Sequence, residues 1–198
     1  MKTIIYSFIL LAFINCNGQN KNDIVGKDGK VYHNDKTEMI IRDYDNTNTL
    51  IIEAIELRKS NKPLEAIDKF NLAEKEYGQK LSIYLNRGVC YDQINKREEA
   101  IVDYTKCLEM KSDYYVALQN RGLAYMNIGE NDRASEDLNK AIKINTSEPS
   151  GYLNLAIFYH SISKFDECCA NAKKSVELGF IEKYHNEMPQ RIIDEVCK

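Results

Sequence analysis

The stretches NRGVCYDQINKREEAIVDYTKCLEM (residues 86–110) and NRGLAYMNIGENDRASEDLNKAIKI (residues 120–144) begin 34 residues apart and follow one pattern. Each opens with N-R-G-x-x-Y and has an alanine, Ala100 or Ala134, at the same later position. A pattern that recurs at a fixed spacing of about 20 to 50 residues indicates a repeat architecture. The extent of this repetition therefore decides the fold and the domain organisation.

The same spacing extends over four repeats of 34 residues without an insertion. Repeats 1 to 4 are residues 47–80, 81–114, 115–148 and 149–182. Position 8 of each repeat is small and position 11 is large, as in Ala54, Gly88, Gly122 and Ala156 followed by Leu57, Tyr91, Tyr125 and Tyr159. Position 20 is again small, as Ala66, Ala100, Ala134 and Cys168.

Each repeat predicts two antiparallel helices. Positions 4, 7, 8 and 11 share one face of a helix with about 3.6 residues per turn, and positions 20, 24 and 27 share one face of a second helix. Turn-prone residues stand between them, such as NKP at 61–63 and GEN at 129–131. A single hairpin cannot bury its apolar face alone, so we expect the four hairpins to stack.

This pattern of small-x-x-Tyr followed by Ala-x-x-x-large-x-x-Ala resembles the tetratricopeptide repeat (TPR) throughout residues 47–182. The resemblance implies an all-α fold, a right-handed superhelical solenoid of antiparallel helix hairpins. It also implies that the first helix of each repeat lines the concave surface and that the protein binds other proteins without catalysing a reaction.

As the resemblance implies, positions 2, 5, 9, 12 and 13 point into the concave surface. Positions 5 and 9 are apolar in every repeat except at Gln119. An apolar stripe with a polar rim is typical of a surface that binds a helix or an extended peptide. The alternatives are that residues 17–46, or tight curvature, cover the stripe. The predicted groove residues are Ile51, Ile55, Leu85, Val89, Gln119, Leu123, Met126, Leu153, Ile157 and His160.

Arg87 and Arg121 occupy position 7, where the resemblance leads us to expect an apolar residue. Their aliphatic stems can pack between repeats while the guanidinium groups reach carboxylates or helix-end carbonyls of the preceding repeat. This pattern favours a structural role over contact with a ligand.

The six cysteines match no zinc-binding spacing, and no metal site or cofactor is predicted. Cys90, Cys107 and Cys168 stand where small residues pack, which predicts buried free thiols. Along an antiparallel helix pair, Cys90 and Cys107 are too far apart for a disulfide. A bridge between Cys169 and Cys197 remains open.

The N-terminus has the features of an export signal. Lys2 precedes an apolar run, residues 4–14, that is too short to span a membrane as a helix. Because the run ends just before Cys16, the segment resembles a bacterial lipoprotein signal. We therefore predict removal of residues 1–15, lipidation of Cys16, and a membrane-anchored protein of the bacterial cell envelope. The alternative is a soluble periplasmic or secreted protein.

Two segments flank the repeats. Residues 16–46 are predicted to be a lipid-anchored or flexible tether, with a tight turn at 26–29 between two short strands as the alternative. Residues 183–198 are predicted to cap the last repeat through a helix at 189–197. The apolar side of that helix carries Ile192, Ile193 and Val196.

Composition and motifs narrow the class of function. The formal net charge is −3, and charged residues make up 29% of the chain. This balance argues against nucleic-acid binding, which depends on clustered cations. The sequence has no glycine-rich phosphate loop, nucleophile elbow or paired-carboxylate motif. It therefore predicts a protein that is not an enzyme.

The resulting functional hypothesis is an exported protein–protein interaction scaffold or adaptor. A partner peptide or helix would dock in the concave groove, and the membrane would be contacted through the lipid anchor. The main alternative is a structural subunit of an envelope assembly that stacks through its solenoid ends. A further alternative is an accessory to a sugar- or peptide-processing enzyme.

Overall fold

The computed structural model describes residues 24–25, 31–32 and 49–197, and the chain divides between residues 47 and 48 into two parts. The removed signal, the lipidated Cys16 and most of the tether, as predicted above, lie outside the described residues.

In the first part, strand β1 (Ile24–Val25) pairs antiparallel with strand β2 (Val31–Tyr32). Ile24 lies opposite Tyr32, and Val25 lies opposite Val31. This pairing is the short-strand alternative given above for the segment that precedes the repeats.

The second part contains ten α-helices between residues 49 and 197. Helices α1 to α8 form one antiparallel hairpin per repeat, and α9 and α10 follow the fourth repeat. The helices are α1 (Thr49–Lys59), α2 (Pro63–Tyr77), α3 (Leu81–Gln93), α4 (Arg97–Met110), α5 (Tyr115–Asn127), α6 (Asn131–Ile144), α7 (Pro149–Ser161), α8 (Phe165–Glu177), α9 (Phe180–Tyr184) and α10 (Met188–Val196).

All four hairpins turn in the same way. The residue at position 15 adopts a left-handed backbone conformation, with φ between 57° and 81°. The amide at position 16 then donates to the carbonyl at position 11 over 2.9 Å in every repeat. Asparagine and glycine tolerate this conformation better than other residues. The position-15 residues are Asn61, Asn95, Gly129 and Ser163.

The two helices of a repeat approach each other closely at position 8. A Cβ atom on Gly88 would lie 2.6 Å from Cε1 of Tyr104, and one on Gly122 would lie 2.8 Å from Cγ of Leu138. Carbon atoms do not pack that closely, so glycine makes room for the large buried side chain at position 24 of the second helix. The small residues predicted at position 8 thus allow the two helices to approach each other closely.

The core runs along the stack as a series of clusters between helices. One cluster joins α3 and α4 to α5, a second joins α5 and α6 to α7, and a third joins α7 and α8 to α10. Each cluster combines both helices of one hairpin with a helix that follows it in the chain. Each of these hairpins therefore completes its core with its neighbour.

Arg87 ties α3 to two other helices. Its Nε and Nη2 atoms each donate to Asp103 in α4 over 2.8 Å. Its Nη1 atom donates to Asn71 over 2.7 Å and to Glu74 over 2.6 Å, both in α2. Burial alone would raise the pKa of Glu74, but hydrogen bonds from Tyr84 and Arg87 lower it, so this carboxylate stays ionised. The predicted contact with a carboxylate of the preceding repeat is confirmed for Arg87.

Arg121 repeats part of this arrangement one repeat later. Its Nε and Nη2 atoms donate to Asp137 in α6 over 2.7 and 2.9 Å. Its Nη1 atom donates to the Thr105 hydroxyl in α4 over 3.1 Å. The preceding repeat therefore offers Arg121 a hydroxyl in place of the predicted carboxylate or helix-end carbonyl. Both arginines form their bidentate pair with the aspartate of the same repeat, a contact that the sequence pattern did not predict.

These ion pairs join positions 7 and 23, and their charges reverse in repeat 1. There Lys69 in α2 donates to Glu53 in α1 over 2.7 Å. Repeat 4 has Leu155 and Asn171 at the same positions, and Leu155 is buried. The same place in the hairpin therefore accepts an ion pair of either polarity, and in repeat 4 it holds a buried leucine at position 7.

The C-terminal helices cover the end of repeat 4. A helix predicted at 189–197 is observed as α10, and its Ile192, Ile193 and Val196 pack on Ala156, Cys168 and Ala172. A disulfide joins Cys169 in α8 to Cys197, which follows α10. This pairing is the one that the sequence left open.

Helix α9, which the sequence did not predict, is held by Glu148 at the start of α7. Lys183 donates to one oxygen of this carboxylate over 2.8 Å, and the Tyr184 hydroxyl donates to the other over 2.6 Å. Burial alone would raise the pKa of Glu148, but hydrogen bonds from Lys183, Tyr184 and Ser150 lower it. The carboxylate therefore remains a charged anchor for α9.

In the part of the chain that the structure describes, no helix combines the length and apolar character needed to cross a membrane.

Replacing only Arg87 of the Arg87–Asp103 pair should destabilise the protein more than replacing both residues. Arg87→Leu leaves the Asp103 carboxylate buried without a cation, which should lower the free energy of unfolding by about 3 to 5 kcal/mol. Arg87→Leu with Asp103→Asn copies the residues of repeat 4 and should recover roughly half of that loss. Urea unfolding followed by circular dichroism measures both.

The exposed Glu53–Lys69 pair provides the control, because Lys69→Met removes the equivalent contact where water screens it. We expect a loss of less than about 1 kcal/mol there. A double variant as unstable as Arg87→Leu alone would show that the unpaired carboxylate is not the source of the loss.

Candidate functional site

The predicted groove residues all lie on the first helices of the repeats, and their exposure falls into three classes. One residue, His160, is exposed. The half-buried residues are Val89, Leu123, Met126 and Ile157. The buried residues are Ile51, Ile55, Leu85, Gln119 and Leu153, each no more than 7% exposed.

The buried class follows the repeat pattern. Position 5 is buried in all four repeats, whereas position 9 is half-buried in repeats 2, 3 and 4. Leu85 belongs to the cluster that joins α3 and α4 to α5. Gln119 packs against α7, because a Cβ atom on Gly151 would lie 2.9 Å from its Nε2 atom. Position 5 therefore contributes to stacking, and position 9 remains accessible.

We use the name groove row for the half-buried residues Val89, Leu123, Met126 and Ile157. Helix α3 contacts α5, and α5 contacts α7, so side chains at position 9 follow one another across repeats 2, 3 and 4. The row offers an apolar contact surface that a partner can reach without displacing a core residue.

Polar residues near the row are partly committed to internal contacts. Asp92, at position 12 of repeat 2, accepts a hydrogen bond from the Tyr104 hydroxyl over 2.7 Å. It also accepts one from Arg97 over 2.6 Å. These contacts hold the carboxylate against its own hairpin, so the charge that it presents to a partner is partly neutralised.

A pocket of about 430 Å³ lies beside α7, α8 and α10. It is lined by His160, Phe165, Glu195 and Val196. The His160 and Phe165 rings meet edge-on, with centroids 6.0 Å apart. Because His160 is one of the predicted groove residues, the pocket extends the site toward the C-terminal cap.

Glu195 and Val196 were not predicted as site residues. The apolar pattern of α10 indicated which side would pack on the last repeat, but not that its final turn would stand next to His160. That placement depends on the approach of α10 to α8, which the Cys169–Cys197 disulfide helps to set. The possible pairing of these two cysteines was the only pointer in the sequence.

The three unpaired cysteines of the described residues are buried, as predicted. Burial raises the pKa of Cys90 to about 11 and that of Cys107 to about 12, and it also raises the pKa of Cys168. A thiol acts as a nucleophile or metal ligand only after losing its proton. These thiols therefore serve as small apolar side chains.

Among the described residues, no group of three or more His, Cys, Asp and Glu side chains is arranged to hold a metal ion. The described site offers noncovalent contacts. These are apolar packing along the groove row and, in the pocket, a carboxylate beside apolar and aromatic side chains.

Comparison with known proteins agrees with the geometry of the hairpins. Residues 82–114 and residues 115–148 each match a family model described as the tetratricopeptide repeat. No curated protein matches the chain.

Several solved structures are similar to this chain. A tetratricopeptide repeat protein from Parabacteroides merdae is 21% identical with a TM-score of 0.58, and the match covers 78% of this chain and 66% of that one. MamA is 22% identical with a TM-score of 0.61, covering 74% and 85%. A thermophilic TPR protein of Thermus thermophilus is 18% identical with a TM-score of 0.67, covering 79% and 86%.

Likeness at these identities shows the fold. The predicted all-α solenoid of antiparallel hairpins is therefore confirmed. Proteins with this repeat are typically non-catalytic scaffolds for protein interaction. Repeats 2 and 3 of this chain are tetratricopeptide repeats, and they lie within a solenoid of the same kind.

Proposed function

We propose that this protein is a non-catalytic scaffold or adaptor that holds a partner peptide or helix along the groove row, and that it is exported to the bacterial cell envelope. The observation that carries the binding proposal is the row of half-buried apolar side chains, Val89, Leu123, Met126 and Ile157, on successive first helices. Each retains surface that a partner can cover.

The spacing of the row suits an elongated partner. Repeats 2, 3 and 4 each present their position-9 side chain once, so contacts recur at the spacing of the first helices, and Met126 adds position 12 of repeat 3. A partner that places apolar side chains at regular intervals, as an amphipathic helix or an extended strand does, can use the whole row. Apolar contacts would supply affinity, and polar neighbours would set orientation.

The alternative role, stacking through the solenoid ends, has a physical obstacle at the C-terminus. The apolar end of repeat 4 is already covered by Ile192, Ile193 and Val196 of α10. A second molecule could reach that apolar surface only by displacing the helix. The groove row needs no such displacement, which favours groove binding.

Export is supported by cysteine chemistry as well as by the N-terminal pattern. The Cys169–Cys197 disulfide joins two half-buried positions. Structural disulfides persist mainly in oxidising compartments and are rare in the cytosol of mesophiles. This observation supports the proposed place in the cell envelope, and a lipid on Cys16 would supply the membrane anchor.

Partner contact should depend on where a crosslinking group is placed. A photo-crosslinking amino acid at Met126, in the groove row, should yield discrete adducts with another protein, identified by mass spectrometry after irradiation of intact cells. The same group at Val102, an exposed site on the second helix α4, is the matched control and should yield few. Placement at Met188, next to the C-terminal cap, tests end-to-end stacking.

Adducts at Met188 that contain a second copy of this chain, together with none at Met126, would favour the structural-subunit role. Equal adducts at Met126 and Val102 would contradict the groove proposal.

Anchoring is tested by Cys16→Ser. If Cys16 carries the lipid, the substituted protein should move from the membrane fraction to a soluble fraction, as measured by fractionation and immunoblotting. Cys90→Ala, which removes a buried thiol of the repeats, serves as the control and should leave membrane association unchanged. Retention of the Cys16→Ser protein in the membrane fraction would reject the lipid anchor.

A further inference from the structure

The disulfide at the C-terminal cap has features of a site that responds to reductants. Among the described residues, Cys169 and Cys197 are the cysteines that are not fully buried, and they are the pair that is oxidised. The other three cysteines are buried thiols. Thiol–disulfide exchange needs access to a sulfur atom. Because both residues of the bridge keep part of their surface, a reductant in solution can approach this bond, whereas the three buried cysteines are already thiols.

The helix that the disulfide holds is weakly attached by other means. Helix α10 has nine residues, and Pro189 is its one buried residue. Ile192, Ile193 and Val196 pack on repeat 4 but stay half-buried. Isolated helices shorter than about 12 residues are not stable in water, so α10 depends on this packing and on its covalent link.

The neighbouring helix α9 is anchored independently. Its Phe180 is 6% exposed, and Lys183 and Tyr184 bind the Glu148 carboxylate. A left-handed residue, His185, then ends α9 and begins the connection to α10. Loss of the disulfide would therefore free α10 at this connection and leave α9 in place.

We propose that the Cys169–Cys197 disulfide is a redox-operated clasp: its reduction releases α10 from the end of repeat 4, and its oxidation returns the helix to that position. The reductant is a dithiol. One of its thiolates attacks a sulfur of the bridge and forms a mixed disulfide, which frees the other cysteine as a thiolate that takes up a proton. The second thiol of the reductant resolves the mixed disulfide, so the protein gains two thiols and the dithiol becomes a disulfide.

Release would change two surfaces at once. The small apolar residues Ala156, Cys168 and Ala172 would lose their cover at the end of the stack. The pocket beside His160 would lose the wall formed by Glu195 and Val196. The redox state would thus decide whether the C-terminal end of the solenoid is closed or open.

Hydrogen exchange of the full chain, measured by mass spectrometry with and without dithiothreitol, tests the clasp. Reduction should speed exchange in residues 188–196 by at least about tenfold and leave residues 81–144 unchanged, because only a local contact opens. Removal of the reductant and addition of oxidised glutathione should restore slow exchange. Differential alkylation should label Cys169 and Cys197 after reduction, and also Cys168, which loses its cover when α10 leaves, but not Cys90 or Cys107.

The repeat pattern supplies matched variants. Cys168→Ala introduces the residue that the other three repeats have at position 20, and this variant should respond to dithiothreitol like the wild type. Cys169→Ser introduces the residue that repeat 3 has at position 21, and with Cys197→Ser it should exchange rapidly at 188–196 without any reductant.

Three results would overturn the proposal. The first is slow exchange at 188–196 in the reduced protein. The second is rapid exchange throughout residues 81–144 on reduction, which would make the disulfide a support for the whole solenoid. The third is alkylation of Cys169 and Cys197 in protein that has not been reduced.

Discussion

The fold depends on how closely two helices of one hairpin can approach at position 8. In repeats 2 and 3 the residue there is glycine, and the facing side chain at position 24 is large and buried. The missing Cβ atom provides the space for Tyr104 or Leu138 to cross the interface. Because the same approach recurs every 34 residues, each hairpin presents a similar surface to the next, and the stack continues.

The pairing of positions 7 and 23 is a second constraint, and it can be met in several ways. It is an arginine with an aspartate in repeats 2 and 3 and a glutamate with a lysine in repeat 1, whereas repeat 4 has a leucine and an asparagine at these positions. The place of the ion pair in the hairpin is thus retained in repeats 1 to 3 while its polarity changes. Buried ion pairs contribute little net stability relative to apolar packing, but a wrong neighbour leaves a charge unpaired. Such pairs therefore help to fix which residues meet.

Most of the fold could be predicted from local patterns in the sequence. Small residues at positions 8 and 20 and turn-prone residues near position 15 recur, and each reflects a contact within one hairpin. The capping role of α10 followed from its apolar side. Helix α9 was missed because it is short and is held by Glu148, a residue distant in sequence, through contacts that no local period encodes.

The candidate site was harder to predict for the same reason. Positions 5 and 9 are both apolar in every repeat except at Gln119, so the repeat pattern provides no basis for separating them. In the structure, position 5 is covered within the stack, as Leu85 and Gln119 show, whereas position 9 keeps part of its surface in repeats 2, 3 and 4. The difference arises from contacts between neighbouring hairpins, which no single repeat contains.

The burial of position 5 limits the apolar surface that a partner can contact. Four half-buried side chains expose less apolar surface than the ten predicted groove residues would have offered together. Association also costs translational and rotational freedom, which the contacts must offset. A partner confined to the groove row therefore gains little from burial alone and needs further contacts.

The pocket beside His160 is the one described extension of the row that adds a carboxylate to apolar walls. In the proposed mode of binding, a partner side chain with an aliphatic stem and a cationic end would gain both kinds of contact there, so the C-terminal cap would contribute to recognition as well as to closing the stack.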